Sequence, residues 1–137
     1  MNENRSFKAM YAAVALSVLL SVILLVFSCG FPRRLVGSMY EHDRPFIESA
    51  KKAAADGDFE TVLSDMTEIV SSLENKKHLL MLFYDHNGVS DLTGEAKTAL
   101  QIAQTGEASQ FLETIGEMET VYEYLLHIND VSFSNII

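Results

Sequence analysis

The chain has 137 residues, a net charge of −9, a single cysteine and no tryptophan. Of its ten Lys and Arg, Arg5 and Lys8 precede Cys29, and of its nineteen Asp and Glu, Glu3 does, so eight cations face eighteen carboxylates in the remainder. That excess repels a phosphate backbone and excludes nucleic acid as a partner, and one thiol excludes an internal disulfide.

Residues 10–28 contain no charge and end at Gly30-Phe31-Pro32, a run of helix breakers. At about 1.5 Å per residue the run covers roughly 28 Å, the thickness of a bilayer's hydrocarbon. It exceeds the apolar core of a cleaved signal, so an uncleaved signal anchor is the favoured reading. A lipoprotein is the second: Leu25-Val26-Phe27-Ser28-Cys29 resembles a lipobox, which makes Cys29 a lipidation candidate, although Phe27 is bulky there. Cleavage and secretion is the third. Arg5 and Lys8 lie before the run and Arg33, Arg34 and Arg44 after it, which nearly balances the positive-inside rule. The short tail before the run places the rest of the chain outside the cytoplasm. Ala13, Ser17 and Ser21 recur every fourth residue, a small-residue stripe suited to close helix contact in lipid.

The domain plan is therefore a tail and transmembrane anchor over residues 1–29, a linker over 30–37 and a helical bundle over 38–137. The fold class is all-α, a transmembrane helix followed by a four-helix antiparallel bundle made of two α-hairpins. Apolar residues at spacings of three and four predict the bundle helices at about 38–55, 58–86, 90–105 and 107–128. Pro45 starts or kinks the first, and Asn87-Gly88 ends the second with residues that tolerate the left-handed C′ position. Short connections make neighbours antiparallel.

An internal echo supports two hairpins. Asp56-Gly57-Asp58-Phe59 aligns with Thr105-Gly106-Glu107-Ala108 at an offset of 49, and the same register sets Glu74 on Glu123 and His78 on His127. The tail over residues 131–137 is apolar, and Phe133 and Ile136 either fold into a groove or offer a docking peptide.

Few residues carry candidate chemistry. Glu74/His78 and Glu123/His127 are i,i+4 pairs, each presenting a carboxylate and an imidazole on one face. Were the second and fourth helices adjacent, the four would form a weak candidate metal site of the carboxylate-bundle kind. Asp85-His86 reads as a helix C-terminal cap, or as a partner contact, with the dipole beneath favouring a charged imidazole. His42-Asp43, close after the apolar run, is a further candidate for response to lipid headgroups. There is no Gly-rich phosphate loop, nucleophile elbow or Cys-x-x-Cys, so neither enzymatic activity nor a cofactor is expected.

The whole pattern resembles an uncharacterised bacterial family, domain of unknown function 4363. The residues carrying the resemblance are the N-terminal anchor, Asp56-Gly-Asp-Phe59, the stretch from Lys77 to His86, Leu125-Leu126-His127 and the terminal Ser132-Phe-Ser-Asn-Ile-Ile137. Similar members carry an aromatic near Ser72 and a Glu where Gly88 stands here. The resemblance implies a membrane-anchored helical domain of Gram-positive-type, spore-forming bacteria, associated with sporulation loci, and it supplies no activity. The functional expectation is a non-enzymatic interaction or scaffold protein of the cell envelope. Its partners are the lipid bilayer and another membrane or envelope protein, through Ala13, Ser17, Ser21, Asp85, His86, Phe133 and Ile136. The alternative is a small-ligand or metal-binding sensor at the membrane surface.

Overall fold

The computed structural model describes the backbone of residues 3–128 and the side chains of residues 7–28 and 30–128. Among the described residues there are four helices and no strand: α1 Glu3–Asp56, α2 Phe59–Leu80, α3 His86–Thr105 and α4 Ala108–His127. They divide into two compact units, with the boundary between Phe31 and Pro32.

The first unit is the apolar part of α1. It contains a stretch long and apolar enough to cross a membrane, and none of that stretch is buried against other residues. Large apolar side chains on every face, from Phe7 through Leu16 and Leu20 to Phe27, stand exposed. Two internal contacts suit it to an environment without water. The Ser21 hydroxyl donates to the Ser17 carbonyl at 2.9 Å, and the Phe27 and Phe31 rings stack at 4.8 Å.

The second unit holds the core. Val36, Met39, Ile47, Ala50 and Ala54 of α1 are buried, as are Val62, Met66, Ile69 and Leu73 of α2. Val89, Leu92, Ala96, Ala99 and Ala103 of α3 join Phe111, Ile115, Met118, Tyr122 and Leu125 of α4. Each set recurs at helical spacing, so each helix buries one stripe. Helix α2 packs on α3 and α3 on α4, while Lys51–Glu119 and Asp43–Tyr122 join α1 to α4.

Two expectations about helix boundaries need correction. The linker over 30–37 is helical: α1 runs through Gly30-Phe31-Pro32 and through Pro45, so no break in helix separates the apolar run from the bundle residues. Each proline removes one i→i−4 hydrogen bond, at about 3 kcal/mol in a helix interior. Around Pro45 the stripe Met39, Asp43, Ile47, Ala50 is buried on both sides, and the continuous helix keeps all four in register. The second correction concerns Asn87-Gly88. Helix α2 ends at Leu80, a turn over residues 81–85 follows, and α3 starts at His86. Asp85 is its N-cap, accepting from the Gly88 amide at 3.4 Å, so Asn87-Gly88 opens a helix instead of closing one. Gly88 packs closely there: a Cβ at this position would stand 3.2 Å from Leu125 Cδ2, tight enough to ask that side chain to shift slightly, and 3.7 Å from Tyr124 Cε1.

The 49-residue echo is structural. Gly57 and Gly106 both turn the chain at positive φ, 77° and 74°, a conformation that costs a side chain strain. At each turn the helix ends match at the same offset: α1 stops at Asp56 and α3 at Thr105, α2 starts at Phe59 and α4 at Ala108. Met39, Asp43, Ile47, Ala50 and Ala54 fall on Gly88, Leu92, Ala96, Ala99 and Ala103, all buried. Val62, Met66, Ile69 and Leu73 fall on Phe111, Ile115, Met118 and Tyr122, again all buried.

The two caps differ. Asp58 accepts from the Thr61 amide at 3.2 Å, whereas Glu107, its counterpart, makes no side-chain cap. Hydrogen bonds from the Thr61 hydroxyl and amide hold the Asp58 carboxyl below its ordinary range. With the folded pKa depressed, that contribution is complete above the unfolded carboxylate pKa and lost as pH falls through the folded value. Glu107→Asp is expected to supply the missing cap and stabilise the fold by about 0.5–1 kcal/mol. Thermal melting at neutral pH should show the gain, and the gain should disappear in acid.

Candidate functional site

The four residues of the weak candidate metal set are not brought together. Glu74 of α2 is paired with Lys97 of α3, Nζ to Oε1 at 2.6 Å, and that hydrogen bond holds the Glu74 carboxyl below its usual range. His78 is exposed one turn on. On α4 the His127 Nδ1 donates to the backbone carbonyl of Glu123 at 2.8 Å and makes no bond to its carboxylate. Among the described residues no group of three or more His, Cys, Asp or Glu is placed to hold a metal ion.

The other expected residues fall as follows. Ala13, Ser17 and Ser21 are exposed on α1, though the Ser21 hydroxyl is already satisfied within its own helix. Asp85 and His86 are exposed at the start of α3. The dipole end beneath His86 is therefore opposite to the one expected from a C-terminal cap. Cys29 lies within α1 and its side chain is outside the described ones; Phe133 and Ile136 lie outside the described residues.

What the structure brings together instead is a buried polar cluster between α1 and α4. Asp43 is 0% exposed, on the same stripe as Met39 and Ile47. The Tyr122 phenol of α4, also fully buried, donates to Asp43 Oδ2, and His42 Nδ1 lies 2.9 Å from Asp43 Oδ1. Tyr40 packs its ring against Tyr122 at 5.4 Å between centroids. Burial first, and the adjacent Asp43 carboxylate second, push the Tyr122 phenol far above its ordinary pKa, so it remains a donor at any physiological pH. Two helical turns along α1, Lys51 donates to Glu119 of α4 at 2.9 Å, a bond that raises the Lys51 pKa.

The echo shows what is special about this seam. The counterparts of Asp43 and Tyr122 are Leu92 and Leu73, and those of Lys51 and Glu119 are Leu100 and Val70. One seam, between α2 and α3, carries apolar residues at the positions where the other, between α1 and α4, carries polar pairs. Asp43 is closed off from solvent, with each oxygen engaged, so the cluster offers no approach for a substrate. It holds α1 in register against α4. One signal in the sequence pointed to it: an acid on an apolar stripe whose echo is Leu.

Of the candidate groups described, Asp43 is buried and paired and His78 is solvated at the surface. No family model, no curated protein and no solved structure matches this chain.

Proposed function

We propose that the chain is a membrane-anchored, non-enzymatic interaction domain of the bacterial cell envelope. In this reading residues 10–28 serve as an uncleaved signal anchor and the bundle lies outside the cytoplasm. The observation that carries the reading is the contrast between the two units. Unit two buries its apolar stripes, while unit one, among the described residues, leaves Phe7, Leu16, Leu20, Leu24 and Phe27 exposed around its helix. Apolar surface of that extent requires lipid or protein around it. The bacterial and sporulation context rests on the resemblance to domain of unknown function 4363.

Two measurements test the reading. The full chain should stay in the membrane fraction through an alkaline wash, and deletion of residues 1–28 should release it. Crosslinking and affinity capture of the tagged full chain from membranes should return the same envelope protein in independent preparations. Release by the alkaline wash overturns the anchor, and capture of nothing reproducible overturns the interaction role.

A further inference from the structure

The bundle has two ends of opposite character. One carries the Gly57 and Gly106 turns. Within a helical turn of them lie Lys52 and four carboxylates, Asp56, Asp58, Glu60 and Glu107. The other end carries Pro32, where the chain arrives from the apolar run, the turn over residues 81–85, the start of α3 and the end of α4. Gly88 beside Leu125 and Tyr40 beside Tyr122 fix these pieces together. Among the described residues, Arg33, Arg34, Lys76 and Lys77 lie within a helical turn of this end, against Asp85, which caps α3, and Glu123. The overall acidity of the chain therefore hides a basic end.

The exposed apolar side chains of the second unit collect there as well. Leu82 is 75% exposed, Tyr124 53% and Leu79 38%, and of the large apolar residues described in this unit only Leu112, at 37%, is exposed elsewhere. Leu82 sits in a turn whose amides are bonded internally: its own donates to the Leu79 carbonyl at 3.3 Å, and the Phe83 amide to Leu80 at 3.0 Å. A turn with its amides bonded in this way presents a leucine to an acyl layer without stranding those donors. Apolar tips ringed by Lys and Arg, with Tyr beside them, are what a bilayer interface accommodates.

We propose that this end of the bundle docks on an anionic lipid surface. Leu82 and Leu79 enter the upper acyl region, Tyr124 lies at headgroup level, and Arg33, Arg34, Lys76 and Lys77 face lipid phosphates. The proposal rests on the membrane-anchor reading, because the anchor holds this end at high local concentration beside the bilayer. Charge complementarity calls for an anionic surface around a small apolar tip, and the adjoining anchor selects lipid over an acidic protein.

The chain contains no tryptophan, so Leu82→Trp introduces a single reporter. The full-length Leu82→Trp chain is reconstituted into phosphatidylcholine vesicles containing phosphatidylglycerol, with lipids brominated at shallow acyl carbons. Its emission should be blue-shifted, shielded from iodide, and reduced about twofold by the brominated lipid, as expected for a residue roughly 5–10 Å below the headgroup boundary. Ser109→Trp, exposed at the acidic end, should be quenched by iodide and insensitive to bromine. Lys76→Glu/Lys77→Glu, added to Leu82→Trp, should reduce the bromine quenching. Quenching by iodide alone in Leu82→Trp overturns the proposal. So does shielding without bromine quenching: if removal of residues 129–137 abolishes the shielding, the chain's own tail is the occupant; if dilution does, a second copy is. Flotation of the vesicles separates the two levels. A chain that fails to float overturns anchor and docking together, whereas one that floats with an unquenched indole overturns docking alone.

Discussion

Tyr122→Phe is expected to destabilise the bundle by about 2–3 kcal/mol while changing no volume in the core, because it strands one oxygen of a buried carboxylate. The comparison that gives this its meaning is supplied by the chain itself. At the equivalent place 49 residues away the fold uses Leu92 and Leu73 in place of Asp43 and Tyr122. Asp43→Leu alone leaves a phenol without an acceptor and should also be costly. The double variant Asp43→Leu/Tyr122→Phe, by contrast, should recover most of the loss or exceed the starting stability, since buried polar pairs replaced by apolar groups of similar volume are often neutral or stabilising. Thermal melting of the four proteins in mild detergent, followed by helical circular dichroism, completes a double-mutant cycle. If the losses in the single variants simply add in the double variant, Asp43 and Tyr122 are not coupled and the seam has no pin.

The second large effect lies in the apolar core. Phe111 is among the largest fully buried side chains, and Phe111→Ala should cost about 3–5 kcal/mol through lost burial and an unfilled cavity. Its echo partner Val62 is equally buried but loses two methyl groups, so Val62→Ala should cost about 2 kcal/mol. Against a domain stability on the order of 5–15 kcal/mol, the first change is a large share and the second a moderate one. Equal losses in the same melting experiment would mean that the two hairpins do not share a core in the register drawn here. Leu82→Ala serves as the control, and a side chain so exposed should leave melting unchanged.

Much of the fold was legible in the residues, and the parts that were not have physical reasons. The hairpin turns were readable because Gly57 and Gly106 sit between acidic or capping residues, in identical register with their apolar stripes. The prolines misled because a local rule gives their cost, whereas the compensation comes from Met39, Ile47 and Ala50 meeting residues elsewhere in the chain. The turn over residues 81–85 was hidden because Leu80 and Tyr84 remain buried across it, so the apolar periodicity continues after α2 has ended. Asn87-Gly88 suits both a closing and an opening turn, and the Asp85 carboxylate decided between them. Candidate chemistry was harder to read. Glu74 and His78 share a face as spacing requires, yet Lys97, on another helix, takes the carboxylate. Asp43, read with His42 as a group beside the apolar run, proves to lie on the core stripe, and its donor is 79 residues away.

That separation has a kinetic meaning. Helices α2, α3 and α4 each meet a sequence neighbour across a turn of a few residues, and such contacts form early and at little entropic cost. The contacts between α1 and α4 close loops of 68 and 79 residues. They are therefore the last to form and the first to open, which places the effect of Tyr122→Phe mainly on the unfolding rate. The helix that α4 meets in that step is the one that continues into the apolar run, so this seam closes the core around that helix.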